Sequence, residues 1–303
     1  MHRAVMTTNA VHSYFAYGLG IRSALVLPEL LACDADADVT LKLGHAGTLP
    51  ARPTDGRLGC WATAGEFLLS EEGIGTFAVR HGREVIVDPA PGIDESRLRL
   101  SILRWVFSAI LHQRGLLLLH GSAVAVNGRV AAFLGRRGSG KSTLASALYA
   151  RGHSFVADDL LAVDASLTVP AVHAGFPHCK LSPDAIRSFG GNPHVGTRYH
   201  PAVEKRAWPV ARNFPRQPLP LARLYVLSDG DDERIAPLQQ RAAVWELVQR
   251  TYALALVDAS GATPAHLRQC TEVARRGLVC CLLRHRSFAS LPDTTRLVEE
   301  DLA

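Results

Sequence analysis

The stretch FLGRRGSGKSTLASAL, residues 133–148, sets Gly135, Gly140, Lys141 and Ser142 in the spacing G-x-x-x-x-G-K-[ST]. These residue types at this spacing hold phosphate. Glycines let the backbone turn so that several N–H groups point inward. The lysine reaches the β- and γ-phosphates, and the serine hydroxyl binds Mg²⁺. The helix that follows adds its positive N-terminal end. On this reading the nucleotide cradle runs through Gly135, Arg136, Arg137, Gly138, Ser139, Gly140, Lys141, Ser142 and Thr143. Arg136 and Arg137 either clamp phosphate or stay solvated. The cofactors this loop calls for are ATP and Mg²⁺.

Sixteen residues separate Lys141 from Asp158, the first of two adjacent aspartates. That length holds one helix and one short strand. A right-handed βαβ crossover returns the chain parallel to the strand it left. Strand ends then share the sheet edge at which α/β proteins bind ligands. Asp158 and Asp159 are therefore expected beside the phosphate loop. Side chains alternate faces along a strand, so both can face the nucleotide only if the strand ends there. One carboxylate is then on or near Mg²⁺ and the other beside an acceptor hydroxyl, whose proton it takes late in a loose phosphoryl transfer. The working assignment puts Asp159 with Ser142 on the metal and makes Asp158 the base. A turn-forming acidic pair after a core strand is the structural alternative.

The elements around these residues follow from pattern. Residues 1–95 read as mostly β, with short apolar runs such as ALVLPELL, VTLKL, EFLLS, TFAVRHG and EVIVD broken by Gly, Pro and Asp. The segment DPAPGIDESRLR, 88–99, marks a boundary, so the expected domains are 1–95 and 96–303. Leu98, Leu103, Val106, Phe107 and Ile110 recur at helical spacing over 96–115, with Gly115 at the stop. Asn127-Gly128 joins two apolar runs as a hairpin turn. The pattern predicts a helix at 142–152 and a strand at 153–164. It predicts a strand at 221–228, helices at 240–257 and 263–277, a strand at 278–285 and a helix at 292–303. Residues 165–220, rich in Pro, Gly, His and Arg, are expected to be irregular.

The chain has 303 residues, 48% of them hydrophobic and 20% charged, a globular composition. No apolar run has the length of a membrane helix, and the first residues lack a signal-peptide core. The six cysteines form no CxxC pair. Together these features predict a cytoplasmic protein with reduced thiols and no membrane role. The net charge of +5 favours acidic partners. Residues 187–216 alone carry six Arg and Lys against Glu204.

The run LLLLHGSAVAVNGRVAAFLGRRGSGKSTLASALYARGHSFVADDLLAVD, 116–164, resembles the core of the HPr serine kinase/phosphorylase family, and more closely HPr-kinase-related proteins. The likeness rests on the His-Gly before the loop, the loop itself, and RGH-x-x-x-ADD after the helix. A weaker likeness extends from the 100–115 helix to about residue 255, and the first 95 residues match no motif. The resemblance implies an α/β P-loop core of HPr kinase and phosphoenolpyruvate carboxykinase type, preceded by a smaller β-rich domain. It implies an enzyme that uses ATP and Mg²⁺ to phosphorylate a serine, in a family that often forms homo-oligomers. By position, Lys141 and Ser142 would bind phosphate and metal, Asp158 and Asp159 would be the base and metal pair, and His120 would lie close to the transferred phosphate. The glutamate–arginine–glycine signature of the bifunctional enzymes is absent, and VEKRAWPVARNF, 203–214, stands in its place. The chain thereby looks more like the branch that includes kinases of lasso-peptide precursors. The expected partner is a peptide or small protein bearing a serine hydroxyl. Lys205 and Arg206 are the candidates for neutralising charge in the transition state, with a solvated basic loop as the alternative.

Three other functions compete: a nucleotide switch without transfer, a small-molecule kinase, and nucleic-acid binding. The last rests on the pI alone, because the sequence holds no nucleic-acid module. DADAD, 34–38, lacks the glycine and glutamate of a calcium loop and is expected to be solvated. His173, His178, His194 and His200 lack metal-site spacing.

Overall fold

The computed structural model describes residues 11–50, 58–63, 65–194, 198–200, 203–210 and 212–303, with the side chains of 198–200 and 203 left aside. Eight strands come first: β1 (His12–Ala16), β2 (Leu19–Ser23), β3 (Leu31–Ala32), β4 (Val39–Leu43), β5 (Gly59–Ala62), β6 (Glu66–Glu71), β7 (Gly75–Arg80) and β8 (Glu84–Pro89). They form one sheet in the order β3-β1-β2-β4-β8-β7-β6-β5. The β1–β2 turn is two residues, Tyr17 and Gly18, both at positive φ, which matches the twist of a tight hairpin. ALVLPELL is mostly loop rather than strand. Pro28 lies within it, and Leu27 and Leu30 are buried from loop positions.

The predicted helix at 96–115 is present, with an irregularity at its centre. α1 (Glu95–Ser101) is capped by the Asp94 carboxylate, passes into a π-helical turn at Ile102–Val106, and continues as α2 (Phe107–Gln113). Its apolar face packs on the first sheet: Phe77, Val85, Phe107 and Ile110 share one core with Leu118 and Leu160 of the following sheet. Tyr17 joins the two sheets as well. Its N–H donates to Ala174 O at 2.7 Å, and its hydroxyl donates to Leu160 O at 3.4 Å.

The rest of the chain is mixed α/β. In order come β9 (Leu117–Val126), β10 (Arg129–Leu134), α3 (Lys141–Ala150), β11 (Ser154–Asp164), β12 (Ala171–His173), β13 (His178–Leu181), α4 (Pro183–Ser188), β14 (Arg198–His200), β15 (Val203–Pro209) and β16 (Leu219–Asp229). β17 (Arg234–Pro237), α5 (Gln240–Gln249), α6 (Leu254–Ala259), α7 (Thr263–Arg275), β18 (Val279–Arg284) and α8 (Leu291–Asp301) complete it. The second sheet has the order β10-β9-β11-β12-β16-β18-β17, with β10 also paired in parallel to β16. The protein is thus an α/β structure with a strand–loop–helix core preceded by a β-rich region.

Three expectations change in detail. β10 and β11 run in the same direction, but they are not neighbours, because β9 lies between them and is antiparallel to both. The stretch 165–220 is less irregular than its composition suggests. It holds β12, β13, α4, β14 and β15, and β13-β15-β14 form a small sheet. The strands are short, and the pairings β12–β16 and β13–β15 join residues far apart in the chain, which local composition does not report. The helix predicted at 240–257 is broken between Gln249 and Leu254. There the chain joins β9: His120 N–H donates to Arg250 O at 2.7 Å and Tyr252 N–H to Leu118 O at 2.9 Å.

Candidate active site

β10 is buried from Val130 to Leu134 and delivers the loop at the centre of the sheet. Gly138 and Gly140 have φ of +82° and +86°, which L side chains avoid. Gly140 is also the N-cap of α3, and a Cβ there would lie 3.0 Å from the Arg284 guanidinium. Arg284, buried at the end of β18, donates to Ser139 O and so braces the loop from beneath. The Lys141 ammonium donates to Gly135 O at 3.0 Å and Arg136 O at 3.1 Å. Burial pulls its pKa down to about 8, Asp158 opposes that fall and Lys205 adds to it. A bound phosphate would hold this lysine charged.

The two aspartates flank the loop as expected, by a different geometry. β11 does not end at them; it runs on to Asp164. Asp159 instead sits at φ +74° inside the strand, a conformation that asparagine and aspartate tolerate better than most residues. That left-handed residue interrupts the alternation, and both carboxylates line the same cavity.

Their surroundings differ. Asp158 is buried, and its Oδ1 accepts from Ser142 Oγ at 2.7 Å and Ser122 Oγ at 2.6 Å. Its Oδ2 accepts from the Lys180 backbone N–H at 2.7 Å. Asp159 accepts from Lys180 Nζ at 2.6 Å and the Tyr252 hydroxyl at 3.2 Å, and lies 3.4 Å from His120 Nδ1. Burial would raise its pKa, but the Lys180 charge and hydrogen bond, His120 and Tyr252 together bring it to about 2. Burial lowers the His120 pKa from its ordinary value, against the opposing pull of Asp159. The ring stacks on Tyr252 with centroids 5.9 Å apart and planes 10° from parallel. The carboxylate bonded to Ser142 is therefore Asp158, where the working assignment had placed Asp159.

A cavity of about 570 Å³ collects most of the expected residues: His120, Arg137, Gly138, Lys141, Ser142, Asp158, Asp159 and Lys205. Gly135 and Arg136 line an adjoining groove. Ser139, Gly140, Thr143 and Arg206 line neither. Lys205 and Arg206 are consecutive on β15, so their side chains leave on opposite faces.

Sequence reasoning missed Ser122, Lys180, Tyr252 and Arg284. Lys180 carried a faint signal, as a cation in the alternating strand HCKL. Tyr252 carried none, because its segment read as continuous helix. His173 and His178 serve structure: their Nδ1 atoms bond to Tyr17 O and Glu29 O, each at 3.1 Å. Asp34 and Asp36 are exposed, as expected of a solvated loop, whereas the Asp38 carboxylate accepts from Gly20 N–H at 2.9 Å.

The donor set fits Mg²⁺. Ser142 Oγ and Asp158 Oδ1 are hard oxygens 2.7 Å apart in the cavity. No group of three or more His, Cys, Asp or Glu side chains gathers for a metal among the described residues. Mg²⁺ suits such a site, because it is held by one or two protein oxygens and completes its shell with phosphate and water. Among the described residues, no helix is long and apolar enough to cross a membrane.

No family model and no curated protein matches the chain. Among solved structures it is similar to the Hpr(Ser) kinase/phosphatase from Coxiella burnetii, with a TM-score of 0.29 and 13% identity over 60% of this chain and 94% of that one.

Proposed function

We propose that the chain is an ATP- and Mg²⁺-dependent kinase that phosphorylates a serine hydroxyl on a peptide or small protein, with a lasso-type ribosomal precursor peptide as the acceptor class. The observation that carries the reading is one cavity in which a phosphate-loop lysine and serine meet two carboxylates of different surroundings. The acceptor class rests on the sequence likeness to precursor-peptide kinases.

In this reading Ser142 and Asp158 hold Mg²⁺, which when bound neutralises charge on the β- and γ-phosphates. Lys141, with Lys205 across the cavity, balances charge developing on the transferred group. Asp159 stays ionised across the physiological range and orients the acceptor hydroxyl. The hydroxyl oxygen bonds to phosphorus as the bond to the leaving oxygen of ADP breaks, and its proton passes to Asp159. A weakly basic carboxylate suffices, because a loose transition state releases that proton late. His120 and Tyr252 hold Asp159 in place. Asp158 and Asp159 thus exchange the roles expected from sequence.

The test is mass spectrometry of the purified chain with ATP, Mg²⁺ and two acceptors, a precursor peptide encoded beside its gene and HPr. Phosphate on the peptide, abolished by Lys141→Met, is the expected result. Phosphate on HPr alone would replace the acceptor class. ATP consumed with neither acceptor modified would favour a small-molecule kinase or a switch.

A further inference from the structure

A second groove, of about 410 Å³, opens beside the reaction cavity, and Arg104, Trp105, His120, Arg137 and Tyr252 line both. Four arginines line it: Arg104, Arg136, Arg137 and Arg250. No carboxylate lies among its lining residues, whereas Glu71, Glu72, Asp158 and Asp159 line the reaction cavity. The arginines come from three parts of the chain. Arg104 belongs to the π-helical turn, a device that re-aims side chains within a helix and is frequent at functional sites. It is exposed, with its guanidinium carbon 4.3 Å from the centroid of the Trp105 ring, which also lines the groove. Arg136 and Arg137 are exposed on the phosphate loop. Arg250 lies at the break between α5 and α6. It pairs with Glu246 at 3.0 Å, and its Nε is a buried donor with no hydrogen-bond partner among the described residues.

The direction of the groove gives it a role. The β-phosphate belongs at the N-terminus of α3, near Ser142. Lys141 Nζ reaches back toward Gly135 and Arg136, so the γ-phosphate end of the site is the start of the loop. An in-line acceptor approaches from the side opposite the leaving oxygen. Gly135 and Arg136, at the start of the loop, line the groove together with the His120–Tyr252 pair.

We infer that this groove is the acceptor subsite, and that it selects a serine flanked by carboxylates. The inference rests on the kinase reading and names its substrate chemistry. Guanidinium groups pair with carboxylates through charge-assisted, often bidentate hydrogen bonds. Trp105, half-buried, supplies flat apolar surface for the peptide.

The test separates binding from transfer. Labelled peptides with alanine in place of the acceptor serine and with acidic, amide or lysine flanks are titrated into the full chain, with fluorescence anisotropy as readout. The acidic peptide should bind best, with an affinity that falls as salt rises. Arg104→Glu should weaken it by roughly tenfold, the scale of one lost charge-assisted contact, and shift preference toward the lysine-flanked peptide. Equal binding of all three peptides, or an unchanged order in Arg104→Glu, would overturn the inference whether or not phosphate moves. A loss in nucleotide affinity instead of peptide affinity would assign the groove to ATP and overturn it as well. Acidic-peptide binding with no transfer to the serine forms would leave the subsite standing and remove the kinase reading.

Discussion

The surroundings of Asp158 and Asp159, adjacent on one strand, divide the cavity into two halves. The hydrogen-bond partners of Asp158 are neutral: two serine hydroxyls and a backbone N–H meet its oxygens, the side chain is buried, and the Lys141 ammonium acts on it through charge alone. Around Asp159 the partners are an ammonium, an imidazole and a phenol, and they come from three distant segments. The first half is an arrangement of hard oxygens beside a phosphate loop, suited to a cation. The second is an arrangement of proton donors and acceptors, suited to holding a carboxylate ionised next to a reacting hydroxyl. A single left-handed residue lets two consecutive side chains serve one cavity in these two ways.

The sharpest test of that division removes each charge in turn. Asp159→Asn keeps a residue that accepts positive φ, so the backbone should hold. It should lower phosphate transfer by on the order of 10²–10⁴-fold, the range of general acid–base contributions, with Mg²⁺-dependent ATP binding retained. Asp158→Asn should instead raise the Mg²⁺ concentration needed for half-maximal ATP binding. If both variants changed the same property equally, the division would fail.

A smaller effect is expected from Tyr252→Phe. It removes one donor to Asp159, so the Asp159 pKa should rise from about 2, and the acid limb of the activity profile should move to higher pH. Lys180→Met removes a charge as well as a donor and should move it further in the same direction. Carboxyl ¹³C NMR titration reads both shifts. A Tyr252→Phe shift larger than that of Lys180→Met would mean that the ammonium is not the dominant partner.

The smallest expected effect lies outside the cavity. Arg151 and His153, which follow α3, both bond to Glu299 on α8. These partners lower the Glu299 pKa from 4.5 to about 2. A depressed carboxyl contributes stability that is full above its unfolded value and lost as pH falls through its folded one. The stability gap between the wild type and Glu299→Gln should therefore close between about pH 5 and pH 2 in urea unfolding. The pair is partly exposed, so the gap at neutral pH should stay within about 1 kcal/mol. A gap that persisted at pH 2 would mean that packing, not charge, joins α3 to α8.

Much of the phosphate half was legible in the sequence. Strand, loop and helix lie within residues 129–150, and the helix–strand return brings Asp158 back within one crossover. Glycine, lysine and serine at fixed spacing leave few other arrangements. The hairpin at Asn127-Gly128 was equally plain, since a two-residue turn with both φ positive selects those types. The other half was opaque for a physical reason. Lys180 and Tyr252 reach Asp159 across 21 and 93 residues of chain. Tyr252 does so only because its segment gives up helical hydrogen bonds to pair with β9.

By itself, then, the sequence determined the strand–loop–helix frame of the glycine-rich loop, the nearness of an acidic pair to it, and the β-rich character of what precedes it, all consequences of local spacing and short-range backbone preference. The tertiary structure decided which aspartate meets the loop serine, which lysine and tyrosine surround the other, and where a groove of four arginines opens. Those outcomes depend on strand insertion, helix breaking and a left-handed residue, each settled by long-range pairing and packing that no local pattern encodes.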